Sequence, residues 1–108
     1  MATKLGKLGV WAFIDTMTAP EAVRFAQQLE NWGYSALWIP EAVGRDPFSI
    51  ISFMAAHTEK LIFATGIANI YARDPMAMNA IHKTLSELAP GRFVLGLGVS
   101  HAPLVTGI

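Results

Sequence analysis

An α/β fold with parallel strands is the class that the sequence predicts, on three observations. Short apolar segments begin near Leu8, Ser35, Leu61 and Phe93 and recur about every 30 residues. Longer stretches with apolar residues at helical spacing separate these segments. The short segments are nearly continuous in apolar residues, which is typical of parallel strands that are covered on both faces. The predicted order of elements is therefore β-α-β-α-β-α-β.

The first unit consists of the strand LGVWAFI at 8–14 and a helix that begins after Thr18. Thr18 and Glu21 have the spacing of a capping box, in which the two residues exchange side-chain and backbone hydrogen bonds. Gly33 follows the last apolar position of this helix, and glycine there is the usual signal for a helix end.

The next two helices share one start signal, an aspartate followed by proline. Asp46-Pro47 follows the predicted strand SALWIP at 35–40, and Asp74-Pro75 follows the predicted strand LIFATGIANI at 61–70. Aspartate caps the free N–H groups of a helix, and proline suits the first helical position because it has no N–H to leave unpaired. The last predicted strand is FVLGLGV at 93–99.

The composition bounds the chain to one domain and excludes several classes of partner. It has 108 residues, of which 53% are hydrophobic, and a mean hydropathy of +0.40. So apolar a chain of this size needs a partner surface. The formal net charge is zero and there is no cysteine, so we expect neither a nucleic acid partner nor a thiolate metal site.

The remaining signals predict a cytoplasmic protein without a metal or a membrane span. The three histidines, His57, His82 and His101, lack the short spacing of metal ligands. The apolar run at 8–14 follows two lysines, but it is too short to cross a bilayer.

Two architectures use this order of elements, an open doubly wound sheet and a (β/α)8 barrel. A dinucleotide-binding sheet needs glycines in the first strand-to-helix loop, and that loop reads DTMTAPE. The later segment GLGVSH has two glycines of the fingerprint, but His101 stands where the third belongs. The nucleotide-binding alternative is therefore weakly supported.

Four segments carry a resemblance to a known family: GVWAF, ENWGYSALWIPE, ATGIANIYARDPMAMN and LAPGRFVLGLGVSH. With their order and spacing, they resemble the N-terminal part of the bacterial luciferase-like monooxygenases, which include flavin-dependent and coenzyme F420-dependent oxidoreductases. The resemblance implies the N-terminal half of a (β/α)8 TIM-type barrel, with residues 1–108 as a single partial domain. It also implies either a missing C-terminal half or a homo-oligomer, since the open edges and inner faces of half a barrel need cover.

The resemblance further implies a cofactor site at the carboxyl ends of the strands. It places a non-proline cis peptide at Gly66-Ile67, behind the flavin or deazaflavin ring. Gly96, Gly98 and Ser100 are expected to form a low floor beneath that ring, because a planar ring tolerates no bulky side chain there. The alternative for Gly66 is a glycine that only relieves a bend.

Glu41 and His101 are the predicted catalytic residues. Many F420-dependent relatives have an acidic residue followed by histidine where this chain has Glu41 and Ala42. A solvated loop carboxylate is the alternative for Glu41. His101 stands where some relatives have a carboxylate and can exchange a proton near neutral pH, whereas the alternative is a loop histidine without a catalytic role.

The resemblance implies an oxidoreductase or monooxygenase that acts on a small-molecule substrate. F420 is the favoured cofactor, with FMN as the alternative, and either would supply hydride transfer or oxygen activation. The alternative function is a non-catalytic half-barrel that serves as an assembly or structural piece.

Overall fold

The computed structural model describes residues 6, 8–42 and 44–99. Its helices are α1 (Ala19–Asn31), α2 (Pro47–Ala56) and α3 (Pro75–Leu88). Its strands are β1 (Gly9–Trp11), β2 (Ala36–Ile39), β3 (Ile62–Thr65), β4 (Ala68–Asn69), β5 (Phe93–Val94) and β6 (Leu97–Gly98). The predicted alternation of strands and helices is confirmed over this range.

The strand order identifies the architecture. The main sheet is parallel throughout and has the order β1-β2-β3-β5, while β4 and β6 form a second parallel pair. The strands of the main sheet therefore lie side by side in the same order in which they occur along the chain. Right-handed crossovers that advance in one direction place every helix on the same face, whereas a doubly wound sheet reverses direction and covers both faces. The described residues thus form a section of a barrel wall.

The hydrophobic core lies between the main sheet and the three helices. Along the strands of the main sheet, residues that face this core alternate with residues that face away from it. The core-facing residues of the main sheet are Leu37, Ile39, Phe63 and Phe93. They pack against buried residues from all three helices, among them Ala26, Ile51, Met54 and Leu85. The helices themselves pack in sequence, α1 on α2 and α2 on α3.

The predicted helix starts are confirmed in atomic detail. The Thr18 hydroxyl accepts a hydrogen bond from the Glu21 N–H at 3.2 Å, and Glu21 Oε1 accepts one from the Thr18 N–H at 2.9 Å. Asp46 and Asp74 cap α2 and α3 in one direction only, as each side chain accepts a hydrogen bond from a backbone N–H, at 2.9 and 2.8 Å. Gly33, just beyond α1, has φ of 87°, a conformation that glycine adopts without steric cost.

Two predicted strands are not continuous, which corrects the sequence prediction. The run at 61–70 divides into β3 and β4, and the run at 93–99 divides into β5 and β6. At the break, hydrogen bonds of the Thr65 hydroxyl take the place of the backbone hydrogen bonds between the strands. It accepts a hydrogen bond from the Gly96 N–H and donates one to the Gly96 carbonyl, both at 2.8 Å. A continuous apolar run cannot reveal such a break, because the residues on both sides of it are apolar.

Candidate active site at the carboxyl ends of the strands

The sheet has a second face, opposite the helices, which we call the open face. The strand register places Trp11 beside Trp38, and Trp38 beside Ala64, and these residues alternate with those of the helix-side core. Trp11 is 61% exposed on this face. The open face is therefore apolar and contains a large accessible indole ring.

Residues 65–69, between β3 and the end of β4, form a bulge at the edge of the open face. The peptide bond between Gly66 and Ile67 is cis, which confirms the prediction made for this position. The Trp11 indole N–H donates to the Gly66 carbonyl at 2.9 Å, and the Gly66 N–H donates to the Ile39 carbonyl at 2.8 Å. The bulge is thus tied to both β1 and β2.

The glycines near the bulge make room for neighbouring protein atoms. A Cβ on Gly96 would lie 2.1 Å from the Thr65 carbonyl oxygen, and one on Gly98 would lie 2.1 Å from Ile67 Cδ1. A Cβ on Gly66 would sit 3.4 and 3.6 Å from the rings of Trp38 and Trp11. Close packing within the protein therefore accounts for glycine at 96 and 98, a reason that the sequence did not reveal.

Glu41 is held by an ion pair. Its carboxylate oxygens accept hydrogen bonds of 2.9 and 2.7 Å from the two terminal nitrogens of Arg73, and Oε1 also accepts one of 2.8 Å from the Asn69 N–H. Only 11% of the Glu41 side chain is exposed. The alternative of a solvated loop carboxylate is therefore wrong.

Arg73 connects three elements. Besides Glu41 it binds Asp46 Oδ1 at 2.7 Å, and its guanidinium lies 4.6 Å from the centre of the Phe48 ring. The hydrogen bonds to Glu41 raise the pKa of Arg73, and they outweigh burial, which acts in the opposite direction. Burial raises the pKa of Asp46, but hydrogen bonds from Ser49 and the interaction with Arg73 lower it by more, so the pKa lies below its ordinary value. Both terminal nitrogens of Arg73 are therefore bound by carboxylates of this chain.

The structure brings together four of the predicted site residues. Gly66, Ile67 and Gly98 meet at the bulge, and the Glu41 N–H donates to the Ile67 carbonyl at 3.0 Å. Ser100 and His101 lie outside the described residues, so their placement stays a prediction.

Sequence reasoning missed that Trp11 binds the bulge, and it expected a salt bridge from Arg73 to Asp74 or a neighbouring loop without identifying Glu41 as the partner. A signal for the second contact was present, because Arg-Asp-Pro occurs twice, at Arg45–Pro47 and at Arg73–Pro75. In both copies the arginine reaches back to the preceding loop. Arg45 donates to the carbonyls of Ile14 and Met17 at 3.2 and 2.7 Å, as Arg73 does to the carboxylate of Glu41.

Within residues 6, 8–42 and 44–99, no three acidic or histidine side chains come close enough to hold a metal ion. No helix in the same range is long and apolar enough to cross a bilayer.

The fold and the bulge at the strand ends define a class, that of (β/α)8 barrel enzymes whose sites lie at the carboxyl ends of the strands. The profile of the luciferase-like monooxygenase family matches residues 6–107. The chain therefore belongs to this family, and the resemblance noted in the sequence is confirmed.

Three comparisons place the chain among its relatives. It is 32% identical over 105 residues to a putative coenzyme F420-dependent oxidoreductase of Mycobacterium tuberculosis, covering 96% of this chain and 29% of that protein. The coenzyme F420-dependent tetrahydromethanopterin reductase of Methanopyrus kandleri superposes with a TM-score of 0.83 at 20% identity, over 94% of this chain and 29% of that one. An FMN complex of a type II Baeyer-Villiger monooxygenase from Pseudomonas putida superposes with a TM-score of 0.77 at 20% identity. This superposition covers 99% of this chain and 32% of that one.

These superpositions show the fold, and they confirm the predicted N-terminal half of a TIM-type barrel. The chain spans less than a third of the length of each of the three proteins named above.

Proposed function

We propose that this chain forms the cofactor-binding rim of an oxidoreductase and holds a flat F420 or FMN ring on the open face beside the bulge. The observation that carries the proposal is the bulge itself, which presents Ile67, 40% exposed, next to the exposed indole of Trp11. It lies at the carboxyl ends of the strands, where barrel enzymes place their sites. We further propose that residues 1–108 are one partial domain of such a barrel, acting on a small-molecule substrate.

The described residues fit a flat, largely apolar ring. Binding sites for cofactors combine apolar walls with a few polar groups that fix orientation. Trp11 and Ile67 supply exposed apolar surface, and Gly98 leaves room for the Ile67 side chain to lie beside it. The bound cofactor would supply hydride transfer or oxygen activation. The protein would orient the ring and exclude water, with Ser100 as part of the floor and His101 as a proton donor or acceptor.

F420 is the cofactor that we propose first. Support comes from the relative of 32% identity, whose name describes an F420-dependent oxidoreductase and which matches nearly the whole chain. FMN is the second choice, supported by the fold shared with the FMN-bound monooxygenase. The cytoplasmic location expected from the sequence stays a prediction.

Absorbance titration of the purified protein with oxidised F420 and with FMN tests this function. We expect a saturable shift with one of the two, and a weakening of about tenfold in Ile67→Ser, because the ring loses apolar contact. Leu88→Ser is the matched control, since Leu88 is equally apolar and 63% exposed but lies at the end of α3. Binding of neither cofactor by the wild-type protein would refute the proposal.

The exposed apolar surface also favours a second candidate function, that of an assembly piece without catalysis. Trp11 and Phe13 are 61% and 48% exposed, and strand β1 lies at an edge of the main sheet. Two copies could cover these surfaces by symmetric association. Size-exclusion chromatography with light scattering would then show a dimer that Trp11→Ser dissociates, and a monodisperse wild-type monomer would contradict this role.

A further inference from the structure

We infer that Glu41 is a positioning residue that holds the bulge in place, rather than a group that exchanges protons with a ligand. Only the expected effect on cofactor binding rests on the proposed function; the contacts between Glu41 and the bulge do not depend on it. Glu41 contacts the bulge at two points. Its N–H donates to the Ile67 carbonyl at 3.0 Å, and its carboxylate accepts from the Asn69 N–H at 2.8 Å. One residue of the β2-to-α2 loop thus holds both ends of the segment 67–69.

The carboxylate is itself immobilised. Arg73 binds both of its oxygens, and Arg73 in turn is held by Asp46 and lies against the ring of Phe48. Paired hydrogen bonds between a guanidinium and a carboxylate fix orientation as well as distance. To reach a ligand, the Glu41 carboxylate would have to leave Arg73 and the Asn69 N–H together.

The anchors of this arrangement are the starts of two helices. Asp46 is the N-cap of α2, and Arg73 directly precedes Asp74, the N-cap of α3. Backbone N–H groups of both helices hold these caps, at 2.9 and 2.8 Å. Glu41 and Arg73 therefore link the bulge to the starts of α2 and α3, which fix its position.

Amide hydrogen exchange of the purified protein tests this role without requiring activity. We expect Glu41→Ala to raise the exchange rate of the Asn69 amide at least about tenfold, because the amide loses a charged acceptor. Glu41→Gln keeps an acceptor oxygen and should raise the rate by less than about threefold. Glu30→Gln is the matched control, because the Glu30 carboxylate also accepts hydrogen bonds from backbone N–H groups, those of residues 59–61, but contacts neither Arg73 nor the bulge.

Three outcomes decide the question. A large increase in Glu41→Ala with Asn69 near its wild-type rate in Glu30→Gln supports the inference. An unchanged Asn69 amide in Glu41→Ala, or an equal increase in Glu30→Gln, overturns it. Should Glu41→Ala fail to fold, Arg73→Gln takes its place, since loss of the clamp should raise exchange at Asn69 and not at the Ala77 amide, which Asp74 caps.

The same variants are titrated with F420 and FMN. Glu41→Ala should raise the dissociation constant about tenfold and Glu41→Gln only slightly. An unchanged dissociation constant in Glu41→Ala would overturn the role in ligand positioning even if the amide exchanges faster. If the wild-type protein binds neither cofactor, the proposed function fails, while the exchange measurement still decides whether Glu41 holds the bulge.

Discussion

Gly96 lies so close to β3 that any side chain on it would collide with backbone. The atom it would meet is the Thr65 carbonyl oxygen, which cannot move without disturbing the strand. At Gly98 the colliding atom is Ile67 Cδ1, the end of a side chain that can rotate. Two glycines that look equivalent in the sequence therefore differ in how strictly their packing requires them.

This difference predicts an order of stabilities. Gly96→Ala should lower the free energy of unfolding by about 3 kcal/mol, and Gly98→Ala by about 1 kcal/mol, because backbone yields less readily than a side chain. Denaturant unfolding measures both values.

Two further variants serve as controls. Adding Ile67→Val to Gly98→Ala removes Cδ1 and should recover most of the loss. Gly33→Ala, where no atom lies within 4 Å but φ is positive, should cost about 1 kcal/mol from conformation alone. Equal losses at 96 and 33 would contradict the role assigned to contact with Thr65.

Among the contacts between elements, the Glu30 carboxylate joins α1 to the segment just before β3. Glu30 accepts hydrogen bonds from the backbone N–H groups of Glu59, Lys60 and Leu61, at 2.7 Å for Leu61. Burial raises the pKa of Glu30, but these hydrogen bonds and the charge of Arg92 lower it by more. The ionised form is therefore the one that stabilises the fold.

The direction of this shift predicts a pH dependence. Because the pKa is lower in the folded state, the contribution of Glu30 is complete above its ordinary pKa of 4.5 and is lost as the pH falls through the folded value. Glu30→Gln should cost about 1 kcal/mol at pH 7, and the difference from wild type should shrink below pH 4.5.

Thermal unfolding across this pH range measures the effect. Glu87→Gln, an exposed change on α3, is the control and should leave stability nearly unchanged at pH 7. A difference between Glu30→Gln and wild type that is constant from pH 7 to pH 3 would contradict the assignment.

In the molecule as a whole, Arg92 joins the end of α2 to the starts of β3 and β5. It donates to the carbonyls of Leu61 and Ala55 at 3.0 and 3.4 Å and to the Thr58 hydroxyl at 2.6 Å. Its guanidinium also lies 5.9 Å from the centre of the Phe63 ring. These contacts cluster at the amino ends of the strands, opposite the bulge, where barrels place residues that serve stability.

Replacement of Arg92 by lysine should therefore reduce stability without loss of charge. A single ammonium group cannot reach three separate acceptors, so we expect a loss of about 2 kcal/mol in the free energy of unfolding. Arg24→Lys, an exposed change on α1, should fall within about 0.5 kcal/mol of wild type. Denaturant unfolding compares the two, and equal effects would show that the contacts of Arg92 add nothing.

Much of the fold was predictable because its signals are local. The capping box of Thr18, the aspartate-proline starts at Asp46 and Asp74, and the end of α1 at Gly33 depend on residues within one turn of each other. Local patterns left two architectures open, and the family resemblance chose the barrel. The strand order of the structure then showed the barrel arrangement directly. No single segment of the sequence reveals this order, because it depends on pairing between segments that are distant along the chain.

The sequence by itself determined the three helices, the four strand-forming segments and their order. Through resemblance it also determined the family and the cis peptide at Gly66-Ile67. Only the tertiary structure decided what Glu41, Gly96 and Gly98 contact. The physical reason is distance along the chain. Arg73 meets Glu41, and Thr65 meets Gly96, only after the intervening helices have packed and brought neighbouring strands into register.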